Sequence, residues 1–201
     1  MSASHLILVR HGETEWSRTG QHTGRTDIEL TERGRHEASL VAPTLKGWDF
    51  AHVYSSPLSR AHDTAKLATS AIGGEITVDD TLLEWDYGVY EGRTNADIVA
   101  EQPGWSKWTA TEIEDGETAY DVGLRADLAI ERFVESTADG PVLVFAHGHF
   151  LAILVARWLG LDAVMGKRFI IQTATATHLT SKRGDHVIKT LNHRCGPQLA
   201  P

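Results

Sequence analysis

Arg10, His11 and Gly12 stand in a row after an apolar run, and Arg60 follows the triplet Ser55-Ser56-Pro57. Glu84 precedes Trp85, and His147-Gly148-His149 closes a second apolar run. These residue types suit one chemistry if they converge. A phosphate monoester carries about two negative charges near neutral pH, and two guanidinium forks can hold its oxygens bidentately. The same fixed donors stabilise charge that develops on a phosphoryl group during transfer. A neutral imidazole can attack phosphorus in line and give a phosphohistidine that water later hydrolyses. A carboxylic acid must protonate the departing alkoxide and afterwards take a proton from water. Gly12, with no side chain, would let the backbone come close to the phosphate.

Whether they converge depends on the elements that carry them. Residues 5–10 read as a buried strand running into Gly12, and 51–54, 75–79 and 142–146 as three more, with two further strands near 173–179 and 186–191. Helical patterns cover 31–45, 57–71, 94–101, 118–135 and 149–159. The second has Ser56 as its N-cap and Pro57 at its first helical position. Strands alternating with helices imply an α/β layer fold with a mostly parallel sheet. In such sheets ligands bind beyond the carboxyl ends of the strands. The first strand ends there in Arg10-His11-Gly12, the second leads to Arg60, the third to Glu84 and the fourth to His147.

The ordered set of motifs resembles a known family. Leu8-Val9-Arg10-His11-Gly12-Glu13-Thr14 is similar to the signature of the histidine phosphatase superfamily, also called phosphoglycerate mutase-like. Thr23-Gly24, Leu30-Thr31, Ser55-Ser56-Pro57, Arg60-Ala61, Glu84 before Tyr87-Gly88, Gly116-Glu117-Thr118 and His147-Gly148-His149 extend the match over nearly the whole chain. The resemblance implies a three-layer sandwich with a mostly parallel central sheet flanked by helices. It implies metal-independent hydrolysis of phosphate monoesters through a phosphohistidine, with no cofactor. By the same match His11 is the nucleophile, Glu84 the proton donor, and Arg10, Arg60 and His147 complete the phosphate pocket. Gly12, Ser17, Thr23 and Gly24 are expected to touch substrate, as are Trp85, Tyr87, Gly148 and His149. Ser17 is a departure, since many members carry Asn there as a phosphate donor. Trp16-Ser17, Gln21-His22-Thr23-Gly24 and Glu84-Trp85-Asp86-Tyr87-Gly88 resemble a sugar-phosphatase and acid-phosphatase subgroup.

Each assignment has a plainer competitor. His11 could be a hydrogen-bonded loop histidine and Arg60 a surface helix charge. Glu84 competes with Asp80, Asp86 and Glu91 in the same loop, and its place beside the apolar Trp85 favours it. His147 and His149, two apart, could bind a metal, but neighbouring arginines would repel a cation. His149 has a helix-capping reading beside the substrate one. Trp16, Trp85, Tyr87, Trp105 and Trp108 could line the mouth of the site, although two or three at most are credited with that. Arg125 reads as a solvated or structural charge, and Cys195 is given no role.

A phosphomutase shares the first half-reaction but needs extra basic residues to retain a second phosphorylated compound. In this family mutases carry an insertion with paired arginines, whereas residues 92–115 hold only Arg93 and Lys107 among several acids. Phosphatase therefore leads, mutase follows, and a catalytically inactive binding protein comes last.

Composition narrows the partners. The 201 residues carry a formal charge of -8, against the basic stripe that duplex nucleic acid needs. A few arginines can still make a positive pocket in an acidic protein. The chain is long enough to bury roughly 70% of its unfolded surface, and no linker divides it, so residues 1–201 read as one domain. The longest apolar stretch is interrupted by Arg157, and the apolar run near the N-terminus is too short for a signal segment or membrane span. A lone cysteine excludes an internal disulfide framework and fits a reducing cytoplasm. The expected partner is a small phosphorylated metabolite, with no nucleic acid and no membrane. No sequence pattern sets the oligomeric state, and a homodimer is left open.

Overall fold

Along the apolar run His5–Arg10 (β1), side chains alternate between two cores. Leu6 and Leu8 enter one, and Ile7 and Val9 the other. A strand buried on both faces needs a cover on each, and this requirement sets the layers. The computed structural model describes residues 4–194. After β1 come α1 (Glu15–Thr19), α2 (Glu32–Ser39), α3 (Ala42–Leu45), β2 (His52–Ser55), α4 (Ser59–Thr69) and β3 (Ile76–Val78). Then follow α5 (Asn95–Glu101), α6 (Ala119–Ser136), β4 (Val142–Ala146), α7 (Gly148–Trp158), β5 (Ala176–Lys182) and β6 (Asp185–His193).

The six strands form one sheet in the order β3-β2-β4-β1-β5-β6. Pairings β1–β4, β2–β4 and β2–β3 are parallel, while β5 runs antiparallel to both β1 and β6. β4 repeats the alternation of β1, with Val142 and Val144 on one side and Leu143 and Phe145 on the other. Helices α6 and α7 cover the first side through Val122, Ala126, Phe133, Leu151 and Val155. Leu45 of α3, Ala65 and Ala68 of α4, and Trp48 cover the second. This is the expected three-layer α/β arrangement.

Caps explain most helix starts. Thr94 and Thr118 each accept from the backbone of the third helical residue, and the Asp at that position bonds back. Two expectations fail locally. The helix expected over 31–45 breaks into α2 and α3, because Pro43 lacks the N–H that would continue the ladder. The helix after β2 begins at Ser59 with Leu58 as N-cap, not at Pro57 after Ser56. The Ser56 hydroxyl is engaged by His147 instead, 2.8 Å away. Cys195 lies outside the described residues.

Because β4 sits between β1 and β2, three carboxyl ends come together. His11 N–H bonds the Ala146 carbonyl at 3.0 Å and Ser56 N–H the Phe145 carbonyl at 3.0 Å, so the ladder continues into the loops. The residues just beyond these strands are therefore fixed relative to one another.

Candidate active site

His11 is 4% exposed. Its Nδ1 lies 2.7 Å from the Gly12 carbonyl. A carbonyl only accepts, so Nδ1 carries the proton and the Nε2 lone pair is left free. Burial, reinforced by the charges of Arg10 and Arg60, holds this imidazole well below its usual range and keeps it neutral. Gly12 is required for a reason other than the one the sequence suggested. A Cβ there would run into the Gly34 carbonyl, and the Gly12 N–H donates to Thr64 Oγ1 at 3.1 Å.

Arg10 lines the cavity in front of His11. Among the described residues its one hydrogen bond runs from Nη1 to the Ile171 carbonyl at 2.7 Å, and its buried Nε has no partner. Gly148 lets the guanidinium lie against the start of α7, since a Cβ at that position would sit 3.0 Å from Cζ. Most of the Arg10 fork is thus available to an anion.

Arg60 and His147 form the layer behind. Both are fully buried, and neither lines the cavity. Arg60 Nε donates to His147 Nδ1 at 3.2 Å, and its Nη groups donate to the carbonyls of Thr26, Thr23 and Gly24. All three guanidinium nitrogens are therefore engaged. Because arginine only donates, His147 Nδ1 accepts and Nε2 donates to Ser56 Oγ. Burial, then the Arg60 charge, keeps His147 neutral. The rings of His11 and His147 stand 5.3 Å apart.

Glu84 is the one of the four competing acids that lines the cavity. Oε1 accepts from the amides of Trp85 (2.9 Å) and Phe150 (2.7 Å), and Oε2 from that of His149 (3.0 Å). The N-terminus of α7 thus supplies two of three donors, as helix starts do for anions. Glu91 instead binds the amides of Gly24 and Thr26, and Asp86 faces Arg25 at 3.5 Å. The Glu84 loop is clamped from below. Arg125 donates to the carbonyls of Thr81, Leu83 and Glu84, and Glu117 holds Arg125 at 2.8 Å while accepting from the Asp86 amide. Arg125 is therefore structural rather than solvated, and the Gly116-Glu117-Thr118 motif supplies its counter-ion.

The remaining expected contacts divide. Ser17, Thr23, Tyr87, Gly148 and His149 line the cavity, which encloses about 390 Å³. The Ser17 hydroxyl is already committed to the capping box of α1 with Thr14. His149 Nδ1 and the Tyr87 hydroxyl meet at 2.6 Å, and the N-cap of α7 is His147, not His149. Gly24 and Trp85 stand outside the lining: Gly24 supports Arg60, and the Trp85 indole donates to the Glu117 carbonyl inside the core. Of the other aromatics, Trp108 reaches the cavity while Trp16 and Trp105 do not.

Residues not singled out as a site also reach it: Lys107, Gln21, His22, Asn95 and Lys167, with Phe169 to Ile171. His22 had a sequence signal, as part of Gln21-His22-Thr23-Gly24. Lys107 had none. Among the described residues no three His, Cys, Asp or Glu side chains are grouped to hold a metal. A larger groove of about 650 Å³ runs along α6, but its Arg157 and Asp127 are paired to each other at 2.8 Å. The convergent, uncommitted polar groups lie in the smaller cavity. No described helix is long and apolar enough to cross a membrane.

Comparisons with known proteins identify the family and the fold. The family model of the histidine phosphatase superfamily (branch 1) matches residues 6–194. An acid phosphatase of Mycobacterium tuberculosis is 41% identical over 172 residues, covering 85% of this chain and 83% of the relative. A sedoheptulose 1,7-bisphosphatase of Saccharomyces cerevisiae is 35% identical over 184 residues, covering 77% and 67%. The solved structure of a mycobacterial glucosyl-3-phosphoglycerate phosphatase superposes with a TM-score of 0.84 at 30% identity, covering 96% of this chain and all of that one. The chain belongs to the histidine phosphatase superfamily.

Proposed function

We propose that the protein hydrolyses phosphate monoesters of small, sugar-like metabolites through a phosphohistidine on His11, without a metal. One observation carries this reading. The Gly12 carbonyl holds the His11 Nδ1 proton, so a neutral imidazole presents its Nε2 lone pair beside Arg10 and Arg60. Arg10, with Nε and Nη2 uncommitted, grips the phosphate oxygens. Arg60, behind the cavity, contributes its charge and fixes the His147 tautomer.

His11 Nε2 attacks phosphorus as the P–O ester bond breaks. Glu84 gives a proton to the departing alkoxide. Its Oε2 bears a single amide donor and is the oxygen with room for proton traffic. Glu84 then takes a proton from water, which attacks the phosphohistidine and releases inorganic phosphate with His11 restored. The named substrates of two relatives, a heptulose bisphosphate and a glucosylated phosphoglycerate, are both phosphate esters that contain a sugar. A cavity of about 390 Å³ suits a metabolite of that size.

Phosphate release from a panel of phosphorylated sugars in excess EDTA tests the proposal. Activity should survive the chelator, because arginines do the work of cations. Activity lost to EDTA and restored by Zn²⁺ or Mn²⁺ would overturn the metal-free reading. Label passing to a second metabolite instead of to free phosphate would favour the mutase.

A further inference from the structure

Lys107 lies in the loop between α5 and α6, flanked by two tryptophans that turn it inward. Trp105 packs on Tyr90 with ring centroids 4.5 Å apart, and Trp108 meets Trp85 edge-on at 5.2 Å. As a result Lys107 is only 7% exposed and lines the cavity. Among the described residues, no hydrogen bond or ion pair holds its ammonium. Glu84 is the one anion that acts on it appreciably, and it does so without forming an ion pair. His22 lines the same wall, is 6% exposed, and stacks on Tyr87 at 4.6 Å. Its buried Nε2 has no partner.

Buried ammonium groups and imidazole nitrogens are ordinarily paired, because desolvation without a partner is costly. Here an unpaired ammonium that opens onto the cavity and a buried imidazole nitrogen without a partner line the same space, apart from the arginines at the His11 end. Arg93, the other cation of residues 92–115, is tied to Glu101 at 2.7 Å and is not part of this pair.

We infer that Lys107 and His22 form a leaving-group subsite that binds a second anionic group of the substrate, a phosphate or a carboxylate. This rests on the phosphatase reading and deepens it. The preferred substrate then carries one phosphate to be removed, held by Arg10, and a second anion held by Lys107 with His22 donating from Nε2. One lysine and one imidazole select such a substrate without the paired arginines of a mutase. Burial lowers Lys107 to about 8, so it remains mostly charged near neutral pH.

The test compares kcat/KM for three matched esters: a sugar monophosphate, the same sugar with a distal phosphate, and the same sugar with a distal carboxylate. The wild-type enzyme should prefer one or both doubly anionic esters, and the arm that is preferred identifies the anion. Lys107→Met should cut that preference roughly 10- to 100-fold, the span of a lost charge-assisted hydrogen bond. Lys107→Arg should keep most of it. A wild-type enzyme indifferent to the second anion overturns the inference whatever the variants do, and so does a Lys107→Met enzyme with an undiminished preference. If no ester is hydrolysed at all, the phosphatase reading fails as well. Hydrolysis without discrimination sinks the subsite alone.

Discussion

At the start of β1 the His5 ring meets His178, with Nδ1 and Nε2 3.0 Å apart. Just past the end of the same strand, about 20 Å away, His11 stands 5.3 Å from His147. Burial depresses the proton affinity of both pairs, and His178 is lowered to about 4. The pairs differ in what surrounds them. His5 and His178 pack edge-on against Trp48, and His178 Nδ1 is buried without a partner. At the other end both nitrogens of His147 and the Nδ1 of His11 are assigned by their partners, two arginines adjoin, and a cavity opens in front. Neutrality is therefore common to buried histidines. A fixed tautomer, adjacent cations and access are what set the His11 end apart from the His5 end.

The largest expected effect breaks the pair that faces the cavity. His11→Gln should lower phosphate release at least about 10⁴-fold, as loss of a covalent nucleophile does. Retention of more than a hundredth of the turnover would remove His11 from that role. Next comes Glu84→Gln, which places an amide nitrogen against an α7 N–H and removes the proposed proton donor. Alkyl phosphates should slow by roughly 10²–10⁴-fold. Aryl phosphates with good leaving groups need little protonation and should slow less in the first step, so phosphohistidine should accumulate. Equal losses on both esters, with no accumulation, would assign the proton to another group.

A smaller effect belongs to both ends together. His11, His147, His22 and His178 are buried with lowered proton affinity, the last two to about 4. The unfolded chain binds their protons near pH 6.5, so it holds more protons than the folded one between about 4 and 6.5. Stability is accordingly full above pH 6.5 and falls as pH drops through that window. Each of the four contributes at most about 1.4 kcal/mol per pH unit. Urea midpoints at pH 7.5, 6 and 5 should decrease in that order, and a midpoint that rises on acidification would contradict the sign. Smallest is His178→Leu, which should flatten this slope by up to one proton and leave kcat/KM within about twofold. A large loss of turnover there would erase the distinction between the two pairs.

How much of this could be read from the chain follows from how local each cause is. The bounds of β1 and β4 came directly from apolar runs flanked by polar residues. Thr94 and Thr118 announce their helices because the capping acid lies three residues on. Arg10, His11, Glu84, Gly148 and His149 reach the cavity as the motif order suggested. What stayed hidden depends on contacts between distant segments. Ser56 looks like a cap, and only the approach of His147 shows why its hydroxyl is engaged elsewhere. Trp85 sits beside Glu84 in sequence, yet its indole turns to Glu117 and the core. Lys107 stands in an otherwise acidic, loop-like stretch, and its burial depends on tryptophans finding Tyr90 and Trp85.

Trapping the phosphoenzyme tests most directly whether His11 Nε2 is the attacking atom. Wild-type protein is mixed with a ³²P-labelled sugar phosphate, quenched in alkali within its first turnover, digested and mapped. The account predicts an acid-labile, alkali-stable label on the peptide that holds Arg10-His11-Gly12, absent from the same peptide of His11→Gln. Label on His147, His149 or any other residue, or hydrolysis at full rate with no labelled protein at any time, would contradict it.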